Sequence, residues 1–115
     1  MFAALSVLRM YNVEDIKGRS ESEDELVVGY SDAMELLHLF EQNNIQVDGW
    51  EGWLKYENGK LGHSQKYQGT SDLSDIPNGS AIALIKNTIM QAHSEWQENP
   101  EVRNASLLFC ITTST

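Results

Sequence analysis

Five consecutive apolar residues, Leu107-Leu108-Phe109-Cys110-Ile111, constrain the fold more than any other feature of this sequence. Successive side chains on a strand point to opposite faces, so such a run must be covered on both sides. A strand of this kind, predicted from Ala105 to Thr112, belongs in the middle of its sheet. Just before it, Ile82, Ile85, Ile89, Ala92 and Trp96 recur at intervals of 3, 4, 3 and 4 residues. That is the period of a helix with one buried stripe. Asn78 or Ser80 is expected to cap this helix, which must stop before Asn99-Pro100, because proline disfavours helical geometry in the residue ahead of it. A long helix feeding a two-sided strand already requires helices layered on a sheet.

The remaining elements follow from local signals. Phe2, Leu5, Leu8 and Tyr11 have a helical spacing, so a short helix is predicted over residues 2–13. Residues 14–25 carry Glu14, Asp15, Glu21, Glu23, Asp24 and Glu25 against Lys17 and Arg19, and read as an exposed acidic loop. Leu26-Val27-Val28-Gly29-Tyr30 leans toward a short strand. Ser31 or Asp32 is placed to cap the next helix, with Asp32 and Glu35 resembling a capping box. Its stripe is Ala33, Leu36, Leu37 and Phe40, with His38 and Glu41 outside it, and Asn43-Asn44 supplies the stop. Ile45-Gln46-Val47 begins another strand, interrupted at Gly49 and resumed at Trp53-Leu54-Lys55-Tyr56. Asn58-Gly59 predicts a type I′ hairpin turn, with Leu61 to Tyr67 as the returning strand. Residues 68–79, with Gly69, Pro77 and Gly79, form a long connection. The expected architecture is α+β, in the order α-β-α-β-hairpin-α-β: a small mixed or antiparallel sheet with about three helices on one face. At 115 residues the whole chain, 1–115, fits one domain, able to bury roughly two-thirds of its unfolded surface in one core.

Charge narrows the partners. Seventeen acidic against 8 basic side chains give a net charge of −9. That balance repels phosphate backbones and anionic membranes and attracts basic proteins, although solubility alone is an equally good reason for acidity. Lys55, Lys60 and Lys66 lie near Trp50, Trp53, Tyr56 and Tyr67, but Glu51 and Glu57 share the segment, so nucleic acid is not the expected partner. The single cysteine, Cys110, forbids an internal disulfide and suits a reducing compartment; within its apolar run it reads as a buried, inert thiol. The N-terminal Met1-Phe2-Ala3-Ala4-Leu5-Ser6-Val7-Leu8 reaches Arg9 without a basic n-region or cleavage site. No stretch approaches the roughly 20 apolar residues of a membrane helix, so the cytoplasm is the expected location.

Catalytic constellations are missing. His38, His63 and His93 show no metal-ligand spacing, there is no paired cysteine, and no calcium loop occurs, so no metal or cofactor is expected. His63 and Ser64 are adjacent, which on a strand sends them to opposite faces and disqualifies them as a nucleophile pair. Gly49-x-x-Gly52 is too short for a phosphate cradle, and no nucleophile elbow, Walker loop or dinucleotide fingerprint appears. The expectation is a binding protein, not an enzyme.

The aromatic segment is distinctive. Trp50-Glu51-Gly52-Trp53 places two large aromatics around a glycine. They have two readings, core residues packed under the helices (expected for at least one) or interface anchors rimmed by polar groups. The run Val47-Asp48-Gly49-Trp50-Glu51-Gly52-Trp53-Leu54-Lys55-Tyr56, followed by Gly62-His63-Ser64-Gln65-Lys66-Tyr67-Gln68-Gly69-Thr70 and Asp72-Leu73, resembles an immunity-protein family of bacterial polymorphic toxin and contact-dependent growth inhibition systems. Asp32-Ala33-Met34-Glu35-Leu36-Leu37 and the late Glu95-Trp96 fit the same resemblance, which spans about residues 25–112. It implies a cytoplasmic protein that neutralises a cognate toxin C-terminal domain, often a basic nuclease, by occluding its site. On that reading Glu21, Glu23, Asp24, Glu25, Trp50, Glu51, Trp53, Glu57, His63 and Tyr67 are candidate contacts. A small regulatory domain with a ligand pocket between hairpin and helices is the alternative.

Overall fold

A computed structural model describes residues 14–23, 25–68, 73 and 75–113. Strand β1 (Val27–Val28) leads into helix α2 (Tyr30–Gln42), then β2 (Val47–Tyr56), β3 (Leu61–His63), helix α3 (Asn78–Glu98) and β4 (Ala105–Thr113). Before them, residues 14–18 form the described part of a helix, α1. The strands make one antiparallel sheet in the order β1-β4-β2-β3. The protein is therefore α+β, and the apolar strand is central as its sequence requires. The helix predicted over residues 2–13 lies outside the described residues.

The α3 stripe is buried at each predicted position, with Ala81 added, and α2 buries its predicted stripe plus Leu39. All of these except Ala81 join one core with Trp50, Leu54, Leu107, Phe109 and Ile111 of the sheet. A second, smaller cluster of Val27, Trp53, Leu108 and Cys110 lies on the opposite face. Alternation along β2 and β4 produces this split: Trp50, Gly52 and Leu54 point one way, Glu51, Trp53 and Lys55 the other.

Several local expectations are corrected. Residues 14–25 are not wholly an exposed loop. Residues 14–18 are helical, and Ile16 is 2% exposed within the main core. The following turn is organised by Ser20, whose Oγ accepts the Val27 N–H at 2.9 Å and lies 2.9 Å from the Glu25 carbonyl. Neither predicted side-chain cap forms. Helix α2 starts early, with Gly29 at the N-cap, so Asp32 falls inside the first turn. There the Arg19 guanidinium grips it with bonds of 2.8 and 3.1 Å. Hydrogen bonding to Arg19 holds the Asp32 carboxyl below its usual range against the opposing cost of desolvation. Pro77 is the N-cap of α3. The Asn78 carboxamide instead bonds the Ile45 carbonyl at 2.8 Å and the Val47 N–H at 3.0 Å, stitching α3 to the start of β2.

The hairpin is where Asn58-Gly59 places it, but with another turn. Only Gly59 has positive φ (85°). Gly59 N–H donates to the Tyr56 carbonyl and Tyr56 N–H to the Lys60 carbonyl, a three-residue loop of the kind that pairs a type I turn with a left-handed glycine. Asn44 (φ 55°) ends α2 in the left-handed region as expected. Gly49 does not break β2. The irregularity lies between Val47 and Gly49, where the register shifts by one residue. The returning strand is shorter than predicted, stopping at His63. Ser64 to Tyr67 then curl onto β2: Ser64 N–H donates to the Gly52 carbonyl, and Gly52 N–H to the Tyr67 carbonyl at 2.6 Å.

Gly52 permits that approach. A Cβ there would stand 2.6 Å from the Tyr67 carbonyl oxygen and 2.9 Å from Tyr67 Cβ. Both obstacles are close to the backbone and cannot swing aside. G52A should therefore cost about 1–3 kcal/mol in urea unfolding, the usual penalty for overpacking. G18A, which meets nothing within 4 Å, should instead stabilise by about 0.4–1 kcal/mol.

Candidate functional site

Cross-strand register assembles the sheet face opposite the helices row by row. Val27, Cys110 and Glu51 lie side by side, followed by Leu108, Trp53 and His63, then Ser106, Lys55 and Leu61. Four apolar members are closed off, with Val27, Leu108 and Cys110 at most 8% exposed and Trp53 9%, and Leu61 is partly buried against them. The polar members are not. Glu25 and His63 are exposed and Glu51 is half-buried. The result is an aromatic and sulfur-bearing floor with carboxylates standing above it.

The carboxylates are positioned from two directions. Glu51 comes from β2, and its Oε1 accepts the Trp53 indole N–H at 3.1 Å. The tilted His63 ring packs on Trp53 with centroids 4.6 Å apart, and its Nδ1 lies 4.0 Å from Glu51 Oε1. Glu25 comes from the Ser20-organised turn. Its carboxylate, that of Glu51 and the Cys110 sulfur lie within 4.8 Å of one another. Glu21 pairs with Lys55 at 2.8 Å, tying the same turn to the same face. Burial, and after it the charges of Glu25 and Glu51, pushes the Cys110 thiol up to about 12. In the metal-free protein the thiol is protonated at neutral pH, and it is buried as its apolar run predicts.

The predicted contact residues thus divide. Glu21, Glu25, Glu51, Trp53 and His63 converge on this one face, although they are spread over more than forty positions of sequence. Glu23 is exposed on the same turn, and Asp24 lies outside the described residues. Glu57 is exposed at the hairpin tip, where its backbone N–H bonds the Asn104 carbonyl. Trp50 and Tyr67 are elsewhere. They are 4% and 6% exposed on the helix side, where Trp50 packs on Phe109 and donates its indole N–H to Thr88 at 2.8 Å. Tyr67 packs against Trp96. Both are scaffold. The two tryptophans of the motif are therefore one core residue and one floor residue of the acidic face.

Glu101 is a structural anchor that its local sequence does not announce. Its carboxylate accepts the Ser64 hydroxyl at 2.7 Å and the backbone N–H groups of Gln65 and Lys66 at 3.2 and 3.4 Å. Ser64 Oγ in turn accepts the Tyr67 N–H at 2.8 Å. The Ser64 hydroxyl is fully engaged there, 4% exposed, while His63 points to the other face. A cavity of about 470 Å³ opens between this turn and α3, lined by Trp50, Gln65, Tyr67, Thr88, Gln91 and Glu95 among others. Among the described residues no helix is long and apolar enough to cross a membrane.

Comparison with protein-family models, with curated proteins and with solved structures finds no match to this chain.

Burial acts to raise the Glu101 pKa, but the Ser64 hydroxyl, the two amides and the Lys66 charge outweigh it, so the carboxyl sits below its ordinary 4.5. A depressed folded value contributes stability that is complete above about 4.5 and is lost as pH falls through the lower folded value. E101Q should therefore destabilise by about 1 kcal/mol at neutral pH, the solvent-screened side of the range for a charged hydrogen bond. Urea unfolding of both proteins across the acid range should show the difference shrinking as Glu101 becomes protonated.

Proposed function

We propose that this protein is an immunity protein that binds a basic toxin domain in the cytoplasm and blocks its active or substrate-binding site, without catalysing a reaction itself. The observation that carries this reading is the convergence of Glu21, Glu25 and Glu51 around Trp53 and His63 on one sheet face. An aromatic floor rimmed by carboxylates is the arrangement that receives Arg and Lys side chains at an interface. The net charge of −9 supplies the long-range attraction, which raises association rate and selectivity more reliably than affinity. The engagement of Ser64 with Glu101 and Tyr67 is in keeping with a binding role, since it removes the hydroxyl nearest an imidazole in sequence from any nucleophilic use. The resemblance of the Trp50–Trp53 segment to toxin-immunity proteins supplies the class of partner.

A second reading rests on the cavity beside α3. Its volume is within the range of small-ligand pockets, and a metabolite that raised the melting temperature strongly, with loss of the effect in Q91A, would favour it.

Co-expression with the toxin C-terminal domain encoded upstream is the direct test of neutralisation: growth rescue and a stable complex are expected, and their absence sinks the proposal. E25K/E51K should slow association by roughly tenfold or more and flatten its dependence on ionic strength, as measured by stopped-flow or surface plasmon resonance. E35K on the exposed face of α2 should leave the rate within about twofold.

A further inference from the structure

We propose that Glu25, Glu51 and Cys110 form a binding site for a divalent transition ion of the zinc class. No spacing in the sequence suggests it, because the ligands come from the turn before β1, from β2 and from β4. The sheet brings their carboxylate and sulfur atoms within 4.8 Å of one another, and small local adjustments bring such groups onto one ion.

Two further observations point to a ligand. The Cys110 side chain is 1% exposed, lies within reach of both carboxylates, and has no hydrogen-bond partner among the described residues. Cys110 and Glu25 also line one cavity, of about 630 Å³, together with Lys17. Glu51 is held as a metal-bound carboxylate usually is, by outer partners: the Trp53 indole N–H takes Oε1, with His63 beside it. The donor set chooses the metal. A thiolate with two carboxylates suits zinc, whereas magnesium and calcium take oxygen ligands alone. Three protein ligands leave a fourth position for water or for a partner's side chain.

The balance of protons is simple. The thiol gives up one proton as its sulfur binds the ion, and the ion replaces the mutual repulsion of two carboxylates and a thiolate with attraction to each. Because thiolate ligation releases a proton, apparent affinity should rise with pH.

Cobalt(II) titration of the full chain tests this, since Cys110 is the one cysteine and a sulfur-to-cobalt charge-transfer band in the near ultraviolet can arise from nowhere else. The band is expected to saturate at one equivalent and to bleach on adding zinc. E25Q and E51Q should each weaken cobalt binding by at least about tenfold, the loss seen even for outer-shell partners. Both substitutions fall at polar surface positions, so the test stands even if C110S does not fold. Cobalt bound without the band, which would place it on the histidines, overturns the proposal. So does the absence of binding, or a band whose affinity is unchanged in E25Q/E51Q.

Discussion

The ladder between β2 and β4 fixes everything else. Its nine paired positions run from Val47 opposite Thr113 to Tyr56 opposite Ala105. Because side chains alternate, this one register sends Trp50, Leu54, Leu107, Phe109 and Ile111 beneath the helices. It sends Glu51, Trp53, Lys55, Leu108 and Cys110 to the other side. A slip of one residue would drive Glu51 and Lys55 into the core and expose Trp50, a cost no local gain could offset. The irregularity at Asp48 absorbs the mismatch at the strand's start, where the Asp48 carbonyl accepts the Leu73 N–H.

The two faces then take different tasks. The helix side holds the main apolar core. Trp50 reaches Thr88, and the turn from Ser64 to Tyr67 fills the space left by Gly52 and is held by Glu101. On the other side, charged groups stay near solvent above a closed floor. The segment of residues 19–23 and Glu25 joins the two faces. It is held to α2 through the Arg19–Asp32 fork, to β1 through Ser20 and to β2 through Glu21–Lys55. Glu25 therefore stands over the sheet on a braced backbone, which lowers the ordering cost of any contact it makes.

Periodicity and parity made most of this legible in advance. The α3 stripe, the central position of β4 and the hairpin at Asn58-Gly59 need only the spacing of apolar residues and the conformational freedom of glycine. Terminal details were less legible because they depend on tertiary partners. Asp32 would cap a helix in isolation, but Arg19 claims it, and Asn78 serves the β2 backbone instead of its own helix. Ile16 lies alone among charges in sequence, so no period marks it as core. The site was legible only as a set of residue types. That Trp53 belongs with Glu25 and Trp50 with Thr88 follows from the register and from a turn, neither of which the chain states locally. Glu101 is more than thirty residues from its partners, and no local pattern marks it.

On the proposed function, the sheet face bearing Glu25, Glu51, Trp53 and His63 meets a basic partner and the helix face does not. Backbone and indole NMR of the labelled protein, with and without the cognate toxin domain, tests it most directly. The largest shifts are expected on residues 20–25, on Glu51, His63 and the Trp53 indole N–H, with the Trp50 indole N–H and the outer faces of α2 and α3 little changed. Shifts concentrated on the outer faces of α2 and α3, with the Trp53 indole unmoved, would contradict it.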